Sequence, residues 1–213
     1  NVPELVQSLY RGYATEATSI LPSFVPGYSA DVTQTQYDPE DAQQVLADKG
    51  ITEIHMLAYT NPRPYNTATG QTLAEAIQGY WAKVGVTCTI DAYDWTTYKE
   101  KIGTGDYDVC LYGWIGDNGD PDNFLNLLAS DDIEMNVAQY HDEEFNQMLS
   151  AAASLPNGDE RNAAYAEMEQ KVADENVWLP ISHQVNLAGY VSNVQNFIYH
   201  PTGNTYLSQT YKN

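Results

Sequence analysis

The chain has 213 residues, of which 43% are apolar, which is enough to bury the core of one large domain. Its 9 basic and 29 acidic side chains give a net charge of −20, which excludes nucleic acid and anionic lipid headgroups as partners because no phosphate-neutralising surface is available. The sequence contains no run of about 18 apolar residues, which is the length needed to span a membrane. The sequence begins at Asn1 with neither a methionine nor a signal peptide, so we expect a processed or excised piece.

The first 50 residues predict two helices joined by a long irregular segment. Residues 4–11 form the first helix, and residues 13–37 carry prolines and scattered aromatic side chains that favour a path over the surface. Asp38 is suited to cap the second helix, Pro39 to begin it and Gly50 to end it.

The stretch from residue 53 to residue 113 alternates strand and helix patterns, which indicates parallel strands joined by right-handed crossovers. The predicted strands are 53–59, 86–93 and 107–113, and the predicted helices between them are 70–84 and 95–103. If the three strands, numbered in chain order, lie side by side in the order 2-1-3, the first and third strands are neighbours. We therefore predict an α/β fold in which a parallel β-α-β-α-β sheet forms the middle of three layers and helices flank it.

Further helices are predicted over residues 120–129, 141–154 and 158–174, and a strand is predicted at 178–181. Residues 186–213 are polar and aromatic, with a periodicity too weak for a domain of their own. We expect this tail to pack irregularly, to be mobile or to pair with a neighbouring molecule.

Two charged residues follow strands of the predicted sheet, and ligands of open parallel sheets bind outside the carboxyl ends of the strands. Arg63 follows the first strand in a loop with two prolines, and Asp117 follows the third strand. A guanidinium suits a carboxylate and a carboxylate suits an ammonium, so the pair would hold a zwitterion such as a short peptide. Two plainer interpretations stay open: Arg63 pairs with a surface acid, and Asp117 serves its Asp-Asn-Gly turn.

Aromatic residues near these two charges are candidate walls of a cleft, since small-molecule sites are mostly apolar. Tyr65 and Trp114 are the predicted wall residues, whereas Tyr59 is expected in the core. Asp122 and Asn123 are expected only to cap the helix that follows them.

Sequence patterns for catalysis and metal binding are absent. No metal-ligand spacing relates the four histidines, which are His55, His141, His183 and His200. No nucleophile elbow, P-loop or dinucleotide fingerprint occurs, and nothing singles out a pair of acids for glycoside hydrolysis. Cys88 and Cys110 lie in predicted strands, where small buried apolar residues are expected. We therefore predict that the protein is not an enzyme and needs no cofactor.

Short motifs occur in order along nearly the whole chain: Gly12-Tyr13-Ala14-Thr15, Gly27-Tyr28, Tyr37-Asp38-Pro39-Glu40, Tyr80-Trp81-Ala82-Lys83-Val84-Gly85-Val86 and Gly105-Asp106-Tyr107-Asp108. The longest motif is Gly113-Trp114-Ile115-Gly116-Asp117-Asn118-Gly119-Asp120-Pro121-Asp122-Asn123-Phe124. Together they resemble the solute-binding proteins of peptide and nickel ABC importers. The resemblance is nearest to the dipeptide-binding branch, through the longest motif and Arg63-Pro64-Tyr65-Asn66.

This resemblance implies a periplasmic-binding-protein-like II fold, in which two lobes close on a ligand. Residues 1–185 would be the C-terminal (second) lobe, and residues 186–213 a tail that returns to the missing N-terminal lobe. Asp117 would bind the α-amino group of a peptide and Arg63 its C-terminal carboxylate. Tyr65 and Trp114 would lie near the ligand.

The function implied by the resemblance is the substrate-binding component of an ABC importer, which delivers dipeptides or short oligopeptides to permease subunits in the membrane. The implied location is extracytoplasmic, either in the periplasm or lipid-anchored on the outer face of the cell membrane. The alternative is a non-peptide ligand such as a nickel chelate, haem or a sugar. A hydrolase and a chemosensory module are two further alternatives.

Overall fold

The computed structural model describes residues 1–200 and 202–213. The helices are α1 (Val2–Tyr10), α2 (Pro39–Lys49), α3 (Gly70–Lys83), α4 (Trp95–Thr104), α5 (Asp122–Leu125), α6 (Glu143–Ser154) and α7 (Asp159–Asp174), and a 3₁₀ turn at Asn126–Ala129 follows α5. The strands are β1 (Ala14–Glu16), β2 (Glu53–Tyr59), β3 (Thr87–Tyr93), β4 (Val109–Cys110), β5 (Ser182–Gln184), β6 (Val194–Gln195), β7 (Ile198–Tyr199), β8 (Thr205–Tyr206) and β9 (Tyr211–Lys212). Within these described ranges, no helix is both long enough and apolar enough to cross a membrane.

The central sheet has the order β3-β2-β4 with all strands parallel, which confirms the predicted order 2-1-3. The prediction that the third strand covers 107–113 is wrong, because only Val109 and Cys110 form strand β4. The reason lies at Leu111. Its N–H still donates to Leu57 O at 3.2 Å, but its carbonyl accepts the hydroxyl of Tyr98 and so leaves the ladder.

Helices cover both faces of this sheet. Successive residues of a strand point to opposite faces, and four successive residues of β2, Met56 to Tyr59, are each no more than 2% exposed. The apolar face of α3 packs against them through Leu73, and α4 packs through Tyr98 and Ile102. The three-layer α/β architecture predicted from the sequence is confirmed, as is the core position of Tyr59.

A second apolar cluster joins α6 and α7. Phe145 and Leu149 of α6 and Tyr165, Met168 and Val172 of α7 are all buried in it, as the helical spacing predicts. The irregular segment before α2 reaches this part of the molecule through Glu169, a residue of α7 that is 1% exposed. Its two carboxyl oxygens accept backbone N–H groups from Leu21 at 3.4 Å and from Ser29 at 3.1 Å.

A small antiparallel pair, β1 with β5, connects the start of the chain to residues 182–184. The prediction of a strand at residues 178–181 is therefore wrong by position: the strand begins one residue after Ile181. Pro180 has no N–H to donate to a ladder, which disfavours strand pairing at that position. The prediction that residues 13–37 are irregular throughout is also wrong, because Ala14–Glu16 form strand β1.

The tail that follows residue 185 pairs only with itself in the described residues. Strand β6 pairs with β9 and β7 pairs with β8, each over two residues. Large apolar side chains of this region are exposed, among them Leu187, Tyr190, Val191, Tyr206 and Leu207. The tail thus has local hairpin-like pairing, and its described residues belong to none of the apolar clusters. The division at residue 185 stays a prediction.

Candidate functional site

Two loops leave adjacent strands of the central sheet at their carboxyl ends. We call residues 60–69, which follow β2, the Arg63 loop, and residues 111–121, which follow β4, the Asp117 loop. Because β2 and β4 are neighbours and parallel, both loops emerge at the same edge of the sheet. This is where the sequence predicts a ligand site.

Asn66 fixes the shape of the Arg63 loop from the inside. It is 3% exposed, and its backbone exchanges hydrogen bonds with that of Arg63 at 2.9 and 2.8 Å. Its side-chain oxygen accepts from the hydroxyl of Tyr10 and its side-chain nitrogen donates to the hydroxyl of Tyr59, both at 3.0 Å. The loop is therefore tied to α1 and to the end of β2.

The guanidinium of Arg63 lies against aromatic rings. Its central carbon is 3.9 Å from the ring centroid of Trp95 and 5.9 Å from that of Tyr65. Its Nε is buried and has no hydrogen-bond partner in the described part of the chain. Arg63 forms no ion pair with a described acidic residue either, so the plainer interpretation of a surface pair fails there. A stacked guanidinium keeps its donors at its edge, where a planar carboxylate can bind.

Tyr65 joins the two loops. Its ring meets that of Tyr59 edge to face at a centroid distance of 6.2 Å. It also lies so close to Gly113 that a Cβ there would approach the ring to 2.3 Å. The Asp117 loop therefore needs a glycine at position 113. Burial raises the pKa of the Tyr65 hydroxyl to about 12, so it is protonated at neutral pH, and this hydroxyl also has no hydrogen-bond partner among the described residues.

Asn123 holds both predicted site residues of the Asp117 loop. Its Oδ1 accepts from the indole Nε1 of Trp114 at 2.8 Å and from the backbone N–H of Asp117 at 3.1 Å. Its Nδ2 donates to Oδ2 of Asp117 at 3.3 Å. The expectation that Asp122 and Asn123 only cap the next helix is thus wrong. Asp120 makes the cap instead, because its carboxylate accepts the N–H of Asp122 at 3.0 Å.

An ion pair fastens the Asp117 loop to α7. Arg161 donates to Oδ1 of Asp120 at 2.8 Å, and the arginine side chain is only 8% exposed. Arg161 also donates to the hydroxyl of Tyr165 at 3.2 Å. The carboxylate of Asp120 therefore serves both the helix cap and the buried guanidinium, which explains its fixed position.

The four predicted site residues differ in exposure. Asp117 is exposed, whereas Arg63, Tyr65 and Trp114 are half-buried. Tyr65 and Trp114 line one cavity of about 170 Å³, which neither Arg63 nor Asp117 lines. The structure thus links the two loops through Tyr65 and Gly113, while the role of each residue in binding stays a prediction.

Three residues that organise this site escaped the sequence analysis. Trp95 appears there only as the start of a helix, Asn66 only as part of a motif, and Asn123 only as a cap. A signal for Asn123 is its place three residues after Asp120, which already caps the helix and leaves the amide free for another task. Nothing local indicates that Trp95 stacks on Arg63.

The sheet order, the flanking helices and the two loops define an α/β fold of the kind that binds ligands at the carboxyl ends of its strands. The sequence profile of the bacterial extracellular solute-binding proteins, family 5 (middle) matches residues 1–136. The chain belongs to this family.

Individual relatives agree with this assignment. The chain is 32% identical over 209 residues to heme-binding protein A of Haemophilus influenzae, covering 93% of this chain and 37% of the relative. It is 30% identical over 209 residues to the dipeptide-binding protein of Escherichia coli, covering 95% of this chain and 39% of the relative. The solved dipeptide-binding protein of Pseudoalteromonas sp. SM9913, in complex with Met-Leu, is 25% identical with a TM-score of 0.88, covering 100% of this chain and 43% of that one.

These relatives are solute-binding proteins rather than enzymes. The periplasmic-binding-protein fold expected from the resemblance is confirmed by the solved neighbour. The chain spans about two fifths of the length of the relatives it matches.

Proposed function

We propose that this chain is the ligand-binding second lobe of the substrate-binding component of an ABC importer, and that its ligand is a dipeptide or short oligopeptide held by its two charged ends. The observation that supports this most directly is the contact of Tyr65 with Gly113. That contact joins a loop bearing a cation to a loop bearing an anion at one edge of the sheet. A zwitterion bound across both loops would meet a complementary charge at each end.

Arg63 is suited to the carboxylate end. Its stack on Trp95 holds the guanidinium plane in place, and its donors form a fork that matches two carboxylate oxygens. Few cations compete for this role, since only 9 basic residues occur in the chain. A hydrogen bond to a charged group contributes about 1.5–3 kcal/mol net, so this contact would carry a large part of a modest affinity.

Asp117 is suited to the ammonium end. Asn123 donates to its Oδ2, while no described residue donates to its Oδ1. The carboxylate is therefore oriented by the protein but retains accepting capacity for a ligand. The indole of Trp114, held by the same asparagine, would form the adjoining wall.

The proposal includes two lobes and a returning tail. Residues 1–185 would form the second lobe, and residues 186–213 would pack against a first lobe, which the exposed apolar side chains of the tail favour. A tight site buries about 70–90% of a small ligand, which one open sheet edge does not achieve. We therefore expect the 213-residue chain alone to bind peptides much more weakly than the full-length gene product. Equal affinities would contradict the two-lobe arrangement.

The proposed partners are the permease subunits in the membrane, and the proposed location is extracytoplasmic, in the periplasm or anchored by lipid on the outer face of the cell membrane. The family relationship supports both statements at the level of an extracellular solute-binding protein. The ligand is the finer part of the proposal, because the relatives include proteins named for haem as well as for dipeptides.

A direct comparison of the two ligands tests the proposal. The full-length gene product is unfolded, dialysed free of bound ligand and refolded, and is then titrated with Met-Leu by calorimetry and with haem by absorbance. We expect saturable one-site binding of the dipeptide and no saturable binding of haem. Saturation by haem without dipeptide binding would overturn the proposed ligand class and favour the haem alternative.

A further inference from the structure

Glu169 of α7 is a buried titratable group to which the proposed binding site assigns no task. It is 1% exposed, and its two carboxyl oxygens hold the irregular segment before α2 at two points. Oε2 accepts the N–H of Leu21 at 3.4 Å, and Oε1 accepts the N–H of Ser29 at 3.1 Å. The N–H of Leu21 has a second acceptor in Oγ of Ser19, also at 3.4 Å, whereas that of Ser29 has no other acceptor among the described residues. One side chain therefore fixes both ends of residues 21–29, which we call the 21–29 segment.

The burial of this carboxyl group indicates a specific role for it. A carboxyl group costs more to bury than an apolar side chain of the same size. Burial raises the pKa of Glu169 to about 8, so the group is mainly uncharged at pH 7. An uncharged acid contributes little through its charge, but buried polar groups whose hydrogen bonds are made fix one local structure. The structure that Glu169 fixes is the path of the 21–29 segment.

The 21–29 segment supports the aromatic side chain of the Asp117 loop. Leu21 and Val25 are buried in one apolar cluster with a side chain of α5, and the ring of Trp114 packs against this cluster. At its edge, Nε1 of the indole donates to Oδ1 of Asn123 at 2.8 Å. A single hydrogen bond leaves a ring free to tilt about it, so the packing against the segment decides the direction in which the ring points.

Helix α7 thus reaches the Asp117 loop by two routes. Arg161 binds Asp120 of the loop directly, at 2.8 Å. Glu169 lies about two turns further along the helix and acts through the 21–29 segment. The segment runs so close to α7 that a Cβ at Gly27 would approach Cβ of Tyr165 to 2.9 Å. The ion pair holds the end of the loop, and the segment supports its aromatic ring.

We propose that Glu169 is a positioning residue for peptide binding, which holds the indole of Trp114 in place as a wall of the ligand site by fixing the 21–29 segment. This inference rests on the proposed peptide function and adds to it a residue that does not touch the ligand. Its effect on affinity passes through Leu21, Val25 and the indole. Removing the two acceptors of Glu169 therefore loosens the wall without altering a ligand contact.

The test is a calorimetric titration of the full-length gene product with Met-Leu at pH 7. Glu169→Met keeps an unbranched side chain of similar length but removes both acceptors. Glu169→Gln is uncharged like the buried acid, and its one oxygen can accept from Ser29 because Leu21 retains Oγ of Ser19. Glu167→Met, at an exposed position of the same helix, is the matched control.

We expect Glu169→Met to weaken binding of Met-Leu about three- to tenfold, because a misplaced wall costs affinity without loss of a direct contact. Glu169→Gln should recover most of this loss, and Glu167→Met should change binding by less than about twofold. A double-mutant cycle separates positioning from stability. When Trp114 is already replaced by alanine, Glu169→Met should add less than about a twofold loss.

Two further measurements keep the inference testable if Glu169→Met folds poorly or binding is weak. Val25→Ala trims the support of the indole without touching the buried carboxyl group, and should also weaken binding only while Trp114 is present. Acrylamide quenching of tryptophan fluorescence needs no peptide. Glu169→Met should increase the quenching of the otherwise wild-type protein, and this increase should disappear in a Trp114→Phe background.

Two outcomes would overturn the inference. Equal weakening by Glu169→Met with and without Trp114 would show that Glu169 only stabilises the fold, and unchanged binding in Glu169→Met would exclude a positioning role. Failure of the wild type to bind Met-Leu would instead overturn the peptide function. The quenching experiment would then still decide whether Glu169 holds the indole, so the two failures are distinguishable.

Discussion

The Arg63 loop and the Asp117 loop leave neighbouring strands at the same edge of the sheet, yet different forces position the charged side chain of each. The guanidinium of Arg63 lies against two aromatic rings, and its central carbon is 3.9 Å from the ring centroid of Trp95. Directional hydrogen bonds from Asn123 and the Asp120–Arg161 ion pair hold the other loop. The cationic end of the site therefore depends on shape and stacking, whereas the anionic end depends on hydrogen-bond geometry. Substitutions that keep the charge of a side chain but change its shape should therefore affect ligand binding more at the cationic end than at the anionic end.

Replacing Arg63 is expected to have the largest effect on binding. Arg63→Ala should weaken dipeptide binding by the full-length gene product about a hundredfold, since charge, fork and stack are all lost. Arg63→Lys keeps the charge but not the planar fork, so about a tenfold loss should remain. Calorimetry measures both. Arg11→Lys, at an exposed position after α1, is the matched control. If Arg63→Lys bound the dipeptide as tightly as the wild type, the planar shape of the guanidinium would not matter for binding the carboxylate.

Removing Arg161 should destabilise the Asp117 loop together with the fold. Arg161→Met leaves the carboxylate of Asp120 and the hydroxyl of Tyr165 without their donor. Because the Asp120 side chain is 35% exposed, we expect a loss of about 2 kcal/mol in unfolding free energy, less than for a fully buried pair. Urea denaturation of this chain and of the exposed control Lys49→Met measures the difference. Unchanged stability would mean that the ion pair does not hold the loop.

Asn123→Ala should weaken binding without comparable loss of stability. The substitution frees the indole of Trp114 and the carboxylate of Asp117 together, and we expect about a tenfold lower dipeptide affinity. Asn126→Ala, an exposed position one turn further on, controls for the loss of an amide. If both variants bind within about twofold of the wild type, the hydrogen-bonded clamp is not part of the site.

The irregular segment before α2 is held in a third way, by the buried carboxyl group of Glu169, which accepts the N–H groups of Leu21 and Ser29. Burial raises the pKa of Glu169 to about 8 from an ordinary value near 4.5. The folded state thus holds a proton that the unfolded state releases at lower pH, so the contribution of Glu169 to stability is fully present below about pH 4.5 and is lost as pH rises to about 8. Between pH 5 and 8 we expect the wild type to lose at least about 1 kcal/mol relative to Glu169→Gln, the equivalent of about one pKa unit. Parallel pH profiles in urea denaturation would contradict this.

The comparison of the two loops also shows which features of the fold and the site can be predicted from the sequence. Strand order and the positions of Arg63 and Asp117 follow from local patterns, because periodicity and the β-α-β-α-β succession decide which strand ends meet. The caps at Asp38 and Gly50 are equally local. All of these signals lie within a few residues of the feature they predict.

The contacts that hold the site are long-range or depend on competition between partners. Trp95 reaches Arg63 across 32 positions of sequence, which no periodicity encodes. Strand β4 ends early because the hydroxyl of Tyr98 takes the carbonyl of Leu111, and Asn123 is free to hold Trp114 because Asp120 has already capped the helix. Such competition between donors is settled only by the three-dimensional fold.

The central claim is that Asp117 and Arg63 each bind one charged end of a peptide. Blocked dipeptides test it most directly, by calorimetry on the wild type, Asp117→Asn and Arg63→Ala. We predict that N-acetylation weakens binding to the wild type at least about tenfold but adds no further loss in Asp117→Asn, and that C-terminal amidation behaves in the same way with Arg63→Ala. If acetylation weakened the wild type and Asp117→Asn by the same factor, Asp117 would not be the residue that binds the amino group, and the account would fail.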